Sequence, residues 1–231
     1  MPIAENIERV RERIQSACVR SGRDIQTVRL MGVTKFHSPQ VLVEAWAGGL
    51  RLFGESRIQE AETKFPAFKQ IHPDAELHLI GTLQRNKVKR ALELFDCIQS
   101  VDRKDLVVEL LKRSQGAEGV MEILFELHTG EESKSGFETL DTLSEAAELA
   151  LVDKRLKIRG LMTMAPYTQD DQAIRRSFRT LRSAQAVLQR RFSQADWSVL
   201  SMGMTNDFEI AVEEGSTLLR IGTAIFGQRE S

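Results

Sequence analysis

Eight short apolar runs of strand character, each separated from the next by a stretch of helical spacing, constrain this chain more than any other feature. The runs fall at 28–33, 51–53, 76–80, 95–99, 121–127, 156–162, 197–200 and 218–221. Helical stretches lie between and after them at about 39–48, 57–70, 86–93, 104–115, 138–151, 171–192 and 207–214. A further helix comes first, with Ile3, Ile7, Val10, Ile14 and Cys18 on one face and Ser21-Gly22-Arg23-Asp24 ending it. Strict alternation of this kind predicts parallel strands joined by helices, closed into a single (β/α)8 barrel spanning 1–231 as one α/β domain. An open doubly wound sheet is the competing architecture. It normally carries a Gly-rich nucleotide loop after the first strand, and Thr34-Lys35-Phe36-His37 is not one. Residues 226–231 are too few for an eighth helix, and the N-terminal helix is expected to cover that gap, because first and last strands are neighbours in a closed barrel.

Two local signals refine the helix starts. Ser38-Pro39 reads as an N-cap followed by a proline at the first helical position, and Asn206 with Glu209 has capping-box spacing.

With 231 residues, 42% hydrophobic and 28% charged, the chain has the composition of a globular protein with a sizeable core. Its formal net charge of -1 provides no basic field to attract nucleic acid. No apolar run reaches membrane-spanning length and the N-terminus lacks a signal-peptide core, so a cytoplasmic location is expected, with no membrane partner. The two cysteines, Cys18 and Cys97, sit in apolar surroundings and read as small core residues of a reducing compartment. Four scattered histidines show no ligand spacing, which predicts no metal site. The helix at 171–192 carries Arg175, Arg176, Arg179, Arg182, Arg190 and Arg191 opposite Ile174, Phe178, Leu181 and Leu188. These arginines read mainly as a solvated face, with a partner or membrane-surface role as the alternative.

In such a barrel chemistry gathers at the C-terminal ends of the strands. The first strand delivers Lys35 there. A lysine at the mouth of a core is poorly hydrated, which favours its neutral, nucleophilic amine and suits it to Schiff-base chemistry with a carbonyl compound. The plainer alternative is a lysine marking where a strand meets water. The other strands end in Gly54-Glu55-Ser56, in Gly81-Thr82-Leu83-Gln84 followed by Asn86, in Ser100-Val101-Asp102, in Met162-Thr163-Met164, in Ser201-Met202-Gly203-Met204 and in Arg220-Ile221-Gly222-Thr223. Ser201 with Gly203, and Gly222 with Thr223, place glycine and hydroxyl donors on the last two loops, where this fold often binds phosphate. Lys35 and these loops together describe a pocket for a phosphorylated aldehyde. Arg220 lies within the last strand, where an unpaired charge is costly. It either pairs with a buried carboxylate such as Glu209 or Asp102, or faces the ring nitrogen of a bound pyridine.

Seven ordered runs carry a resemblance that covers nearly the whole chain. They are Met31-Gly32-Val33-Thr34-Lys35, Leu52-Phe53-Gly54-Glu55, His78-Leu79-Ile80-Gly81-Thr82-Leu83-Gln84-Arg85-Asn86-Lys87, Ser100-Val101-Asp102-Arg103, Gly160-Leu161-Met162-Thr163-Met164, Leu200-Ser201-Met202-Gly203-Met204, and the stretch from Gly215 to Gly227 containing Arg220-Ile221-Gly222-Thr223. In these the chain resembles the pyridoxal phosphate homeostasis proteins, whose barrel is similar to the N-terminal domain of alanine racemase. The resemblance implies a usually monomeric barrel that binds pyridoxal 5'-phosphate (PLP) covalently on Lys35. It further implies that Ser201, Gly222 and Thr223 hold the phosphate and that Arg220 faces the pyridine nitrogen. Ser56, Asn86 and Gly203 complete the expected cofactor set. Lys134 matches a family lysine discussed as a secondary site for cofactor release. Two departures stand out, because the family usually has Asn where this chain has Ser56 and often has Asn where it has His128.

The implied function is storage and delivery of PLP within vitamin B6 and amino-acid balance, without dedicated catalysis, apo PLP enzymes being the recipients. An amino-acid racemase on the same barrel is the alternative. It needs a second acid/base opposite the lysine, supplied in barrel racemases by a tyrosine from an additional domain. The lone Tyr167, after the sixth strand, reads as a surface loop residue. A Schiff-base aldolase without a cofactor is the third reading.

Overall fold

Along the first strand, side chains alternate as its sequence dictates. Met31 and Val33 meet Leu52 and Leu218 inside the barrel, whereas Phe53, Ile98, Ile123, Leu219 and Ile221 point outward and pack beneath the helices. The computed structural model describes residues 2–115, 119–130 and 135–228. Its eight parallel strands close in chain order: β1 (Arg29–Val33), β2 (Leu52–Glu55), β3 (Glu76–Leu79), β4 (Cys97–Val101), β5 (Met121–Glu126), β6 (Leu156–Met162), β7 (Val199–Ser201) and β8 (Leu218–Ile221). Strand β8 pairs back to β1, with Met31 opposite Arg220 and Gly32 opposite Ile221, so the open-sheet alternative is excluded.

Around the barrel lie α1 (Ile3–Ser21), α2 (Gln40–Ala47), α3 (Ile58–Ile71), α4 (Val88–Leu94), α5 (Lys104–Ser114), α6 (Leu140–Ala150), α7 (Asp171–Arg191), α8 (Phe208–Glu213) and α9 (Thr223–Phe226). Two aromatic residues of α3, Phe65 and Phe68, meet Phe53 edge-on at centroid separations of 5.8 and 5.6 Å, fixing that helix to β2.

Helix α1 does cover the gap at the seam. Asn6 donates to the Ile225 carbonyl, Arg13 pairs with Glu209, Arg20 pairs with Glu213, and Arg23 donates to the Val212 carbonyl. The final helix is nevertheless present as the single turn α9, which starts at Thr223, earlier than the apolar pattern indicated. The capping box expected on Asn206 is not formed. Helix α8 opens at Phe208, and Asp207 instead accepts from the Met204 N–H at 2.6 Å. Pro39 takes the position just before α2, one residue earlier in the helix frame than expected. Its side chain cannot cap, so the first turn is closed by the Ser38 and Pro39 carbonyls, which accept from Val41 and Leu42.

A bulge in β6 depends on one glycine. Gly160 has φ +146°, and a Cβ there would lie 1.9 Å from the Val199 carbonyl oxygen, so the register shift between β5 and β6 requires a residue with no side chain. The α7 arginines are not simply solvated. Arg175 and Arg179 both bind Glu214, Arg175 also binds Glu213, Arg182 donates to the Glu214 carbonyl, and Arg191 pairs with Glu148. The carboxylates at the end of α8 thus take up much of the charge that composition had left for a partner. Both cysteines are buried and free, and burial pushes each thiol up. Among the described residues, no helix is long and apolar enough to cross a membrane, and no cluster of His, Cys, Asp or Glu could hold a metal ion.

Candidate functional site

The C-terminal end of β1 is held from three sides. Fully buried Thr34 donates its hydroxyl to Glu55 Oε1 at 2.6 Å and its N–H to the Gly54 carbonyl. Lys64, projecting inward from α3 and only 6% exposed, donates to the Thr34 carbonyl (2.9 Å), to Glu55 Oε1 (3.1 Å) and to Glu60 Oε2 (3.1 Å). The same Glu60 oxygen accepts the Phe36 N–H at 2.7 Å. Lys35 lies between these anchored residues, half-buried, in the turn that follows β1. Phe36 has φ +66°, a left-handed conformation costing a non-glycine residue about 1–2 kcal/mol, and the Glu60 contact together with Arg57 stacked 4.9 Å over its ring maintains it.

Electrostatics follow from burial. Desolvation pushes the Glu55 carboxyl up, opposed by the Thr34 hydroxyl and the Lys64 ammonium. Burial also opposes ionisation of Glu60, but the Phe36 N–H and Lys64 outweigh it and hold that carboxyl below its usual range.

Arg220 occupies the barrel interior, 4% exposed, on the strand next to β1. Neither Glu209 nor Asp102 is its partner, since Glu209 binds Arg13 and Asp102 binds Arg103. Its guanidinium instead donates to Ser201 Oγ at 2.7 Å and to the Thr163 carbonyl at 2.8 Å, with Asp207 and Glu126 as the nearby negative charges. Burial pulls this guanidinium down to about 10, opposed by those two carboxylates. Asp207 is itself pushed up by burial and drawn back by the Met204 N–H and Arg220.

Ser201 therefore sits deeper than a rim residue. Its hydroxyl accepts from Arg220 and donates to Gln99 Oε1 at 2.6 Å. Its proton goes to Gln99 and its oxygen takes the Arg220 N–H, because the end of β7 turns this side chain inward. Gly203 has φ +100°, and its carbonyl accepts the Arg220 N–H at 3.0 Å. A Cβ on Gly203 would lie 2.6 Å from Ala211 Cβ, so glycine lets the loop lie flat on α8. Gly222 abuts Val33, and the exposed Thr223 opens α9 beside it. Thr205 accepts the Ala224 N–H at 3.3 Å, tying the two loops together. Lys35, Ser201, Gly203, Arg220, Gly222 and Thr223 thus belong to one contiguous region. Ser56 is half-buried at the end of β2, its backbone against Gly81, whereas Asn86 is exposed on the short turn Arg85–Lys87. His128 is half-buried, with its N–H on the Phe137 carbonyl. Lys134 lies outside the described residues.

Sequence reasoning missed Lys64, Glu60 and Gln99. The first two have the spacing of an ordinary surface ion pair one helical turn apart. Gln99 was visible only as a polar residue inside an apolar strand.

The model of the family described as alanine racemase, N-terminal domain, matches residues 3–230. The chain belongs to that family. A pyridoxal phosphate homeostasis protein from Aquifex aeolicus (strain VF5) is 42% identical over 231 residues, covering 100% of both chains. Another of the same name, from Vibrio cholerae serotype O1, is 37% identical over 99% of this chain and 97% of its own length. Among solved structures, PipY of Synechococcus elongatus PCC7942 with PLP bound superimposes with a TM-score of 0.81 at 34% identity, over 94% of this chain and 100% of that one. Bacillus anthracis alanine racemase shares the fold at 16% identity and a TM-score of 0.71. This chain covers only 57% of it.

Proposed function

We propose that this member of the alanine racemase N-terminal domain family binds PLP on Lys35, buffers and delivers it, and performs no dedicated turnover of its own. The donor set fits that group. An amine stands at the end of β1, glycine-bearing loops with a hydroxyl lie beside it, and a buried guanidinium sits within, with N–H donors beyond the two that bind Ser201 and Thr163 among the described residues. When bound, PLP supplies an aldehyde that condenses with an amine and a pyridine ring that draws off electron density. The protein's part is positional. Lys64, Glu55 and Glu60 hold the peptides on both sides of Lys35, so its amine is presented at a fixed depth. Gly222 and Thr223 offer N–H groups and a hydroxyl to the phosphate, while Gly203 gives the neighbouring loop its close approach. Ser56 and Asn86 are assigned to the cofactor's edge on the same face. Arg220, held by Ser201 and the Thr163 carbonyl, presents a cation to the ring nitrogen, keeping that nitrogen unprotonated and weakening the ring as an electron sink. Lys134 is proposed as a release site, apo PLP enzymes as recipients, and a monomer in the cytoplasm as the working form.

The observation that carries the non-catalytic reading is Tyr167. It is 91% exposed, on the loop after β6, which supports reading it as a surface residue and not as the second acid/base that racemisation needs. Purified protein supplied with PLP is expected to absorb in the visible, and borohydride reduction followed by peptide mapping is expected to place the adduct on Lys35. An adduct elsewhere, or none, overturns the assignment. Incubating the loaded protein with single L-amino acids separates carrier from racemase, because racemisation or keto-acid release well above a PLP-only control would favour the enzyme.

A further inference from the structure

A line of hydrogen bonds crosses the barrel interior below the Lys35 face. Arg220 Nη1 donates to Ser201 Oγ (2.7 Å), Ser201 to Gln99 Oε1 (2.6 Å), and Gln99 Nε2 meets His78 Nδ1 (2.8 Å). Gln99 and Ser201 are fully buried and His78 is 5% exposed. The placement of donors and acceptors gives this chain a direction. Arginine has only donors, so Ser201 must accept from it. The hydroxyl proton then goes to Gln99 Oε1, which turns the amide NH2 toward His78. With the amide NH2 as donor, His78 Nδ1 accepts, the arrangement of the tautomer whose N–H is on Nε2, the nitrogen 3.7 Å from Glu76 Oε2. Here the line reaches a cavity of about 340 Å3 at the N-terminal mouth of the barrel, lined also by Arg29, Glu122 and Arg159.

Each link restricts a rotor that the others leave free. A serine hydroxyl swings through its staggered positions unless its proton has a fixed acceptor, and a glutamine amide rotates unless both its ends are engaged. In a water-excluded interior an unmade bond is costly, so the series settles into one arrangement.

We propose that Gln99 and His78 are positioning residues for Arg220, acting through Ser201, and so aim its guanidinium at the ring nitrogen of bound PLP. The last clause rests on the PLP reading of the Lys35 face. The aiming of Arg220 does not.

The test follows the Arg220 Nε–H by NMR in protein without added PLP, and separately the absorption band and release rate of PLP-loaded protein. Gln99→Met, of similar volume but without the amide, is expected to shift the Arg220 signal and to speed its exchange with water about tenfold. It is also expected to move the absorption band and hasten PLP release, with the adduct still on Lys35. Gln99→Glu keeps an acceptor for Ser201 and is expected to restore the Arg220 signal. His78→Leu frees the far end of the amide and is expected to give an intermediate exchange rate. Should Gln99→Met fail to fold, the contrast between Gln99→Glu and His78→Leu decides the question. Wild-type Arg220 exchange in folded Gln99→Met, or in folded His78→Leu, overturns the proposal. Wild-type protein that forms no adduct with PLP sinks the cofactor reading alone, and the Arg220 measurement still decides the relay.

Discussion

Lys64 donates its ammonium to the carbonyl oxygen of Thr34 across 2.9 Å, one peptide before Lys35. A helix in the outer layer thereby sets the path of the strand that carries the candidate nucleophile. The contact is buried together with Glu55 Oε1, and Glu55 Oε2 is buried there without a hydrogen-bond partner among the described residues. Breaking such a group on one side only is costly.

Lys64→Met is accordingly expected to destabilise the fold by about 3–5 kcal/mol, because Glu55 is left as a buried carboxyl without its cation. Adding Glu55→Gln is expected to recover part of that loss. Urea unfolding of the two variants checks this, and a single-variant loss below about 1 kcal/mol would put the pair in the class of surface bridges.

Gly203→Ala is expected to cost about 2–5 kcal/mol, combining left-handed backbone strain with overpacking. The added carbon would stand 2.6 Å from Ala211 Cβ and 2.8 Å from Leu219 Cδ2. Thermal melts read the loss, and an unchanged melt would mean that α8 moves aside freely.

Acid stability is expected to depend on Glu76. His78 and then Arg29 hold its carboxyl at about 2, against an ordinary value of 4.5. A depressed carboxyl contributes stability above pH 4.5 that is lost as pH falls toward about 2. The group is half-exposed, so solvent screening limits its share to under about 1 kcal/mol. Unfolding measured as a function of pH is expected to show a flatter acid limb in Glu76→Gln, and an unchanged limb would remove Glu76 from the account.

Tyr167→Phe is expected to leave stability within about 0.5 kcal/mol of wild type, as its exposed ring supports no packing. It is also expected to leave the absorption band of PLP-loaded protein unmoved. A shifted band would bring the phenol into contact with the cofactor and reopen the racemase reading.

Much of the architecture was legible because periodicity is local. Met31 and Val33 announce an inward face two residues at a time, and Ile174, Phe178 and Leu181 announce a helix face by their spacing. Helix ends were less secure. Asn206 has the right neighbour for a capping box, but Asp207 takes the Met204 N–H and the helix begins later. The α7 arginines looked solvated because their partners, Glu213 and Glu214, lie on another helix.

The residues by themselves determined the barrel, the face on which chemistry gathers, and the roles of Lys35 and the Gly203 and Gly222 loops as candidates. Only the tertiary structure decided that Ser201 serves Arg220, that Gln99 and His78 stand behind it, and that Lys64 holds Thr34 from outside. The reason is physical. Alternation and spacing are written within a few consecutive residues, whereas a hydrogen bond between β4 and β7 exists only once the sheet has closed and water has left.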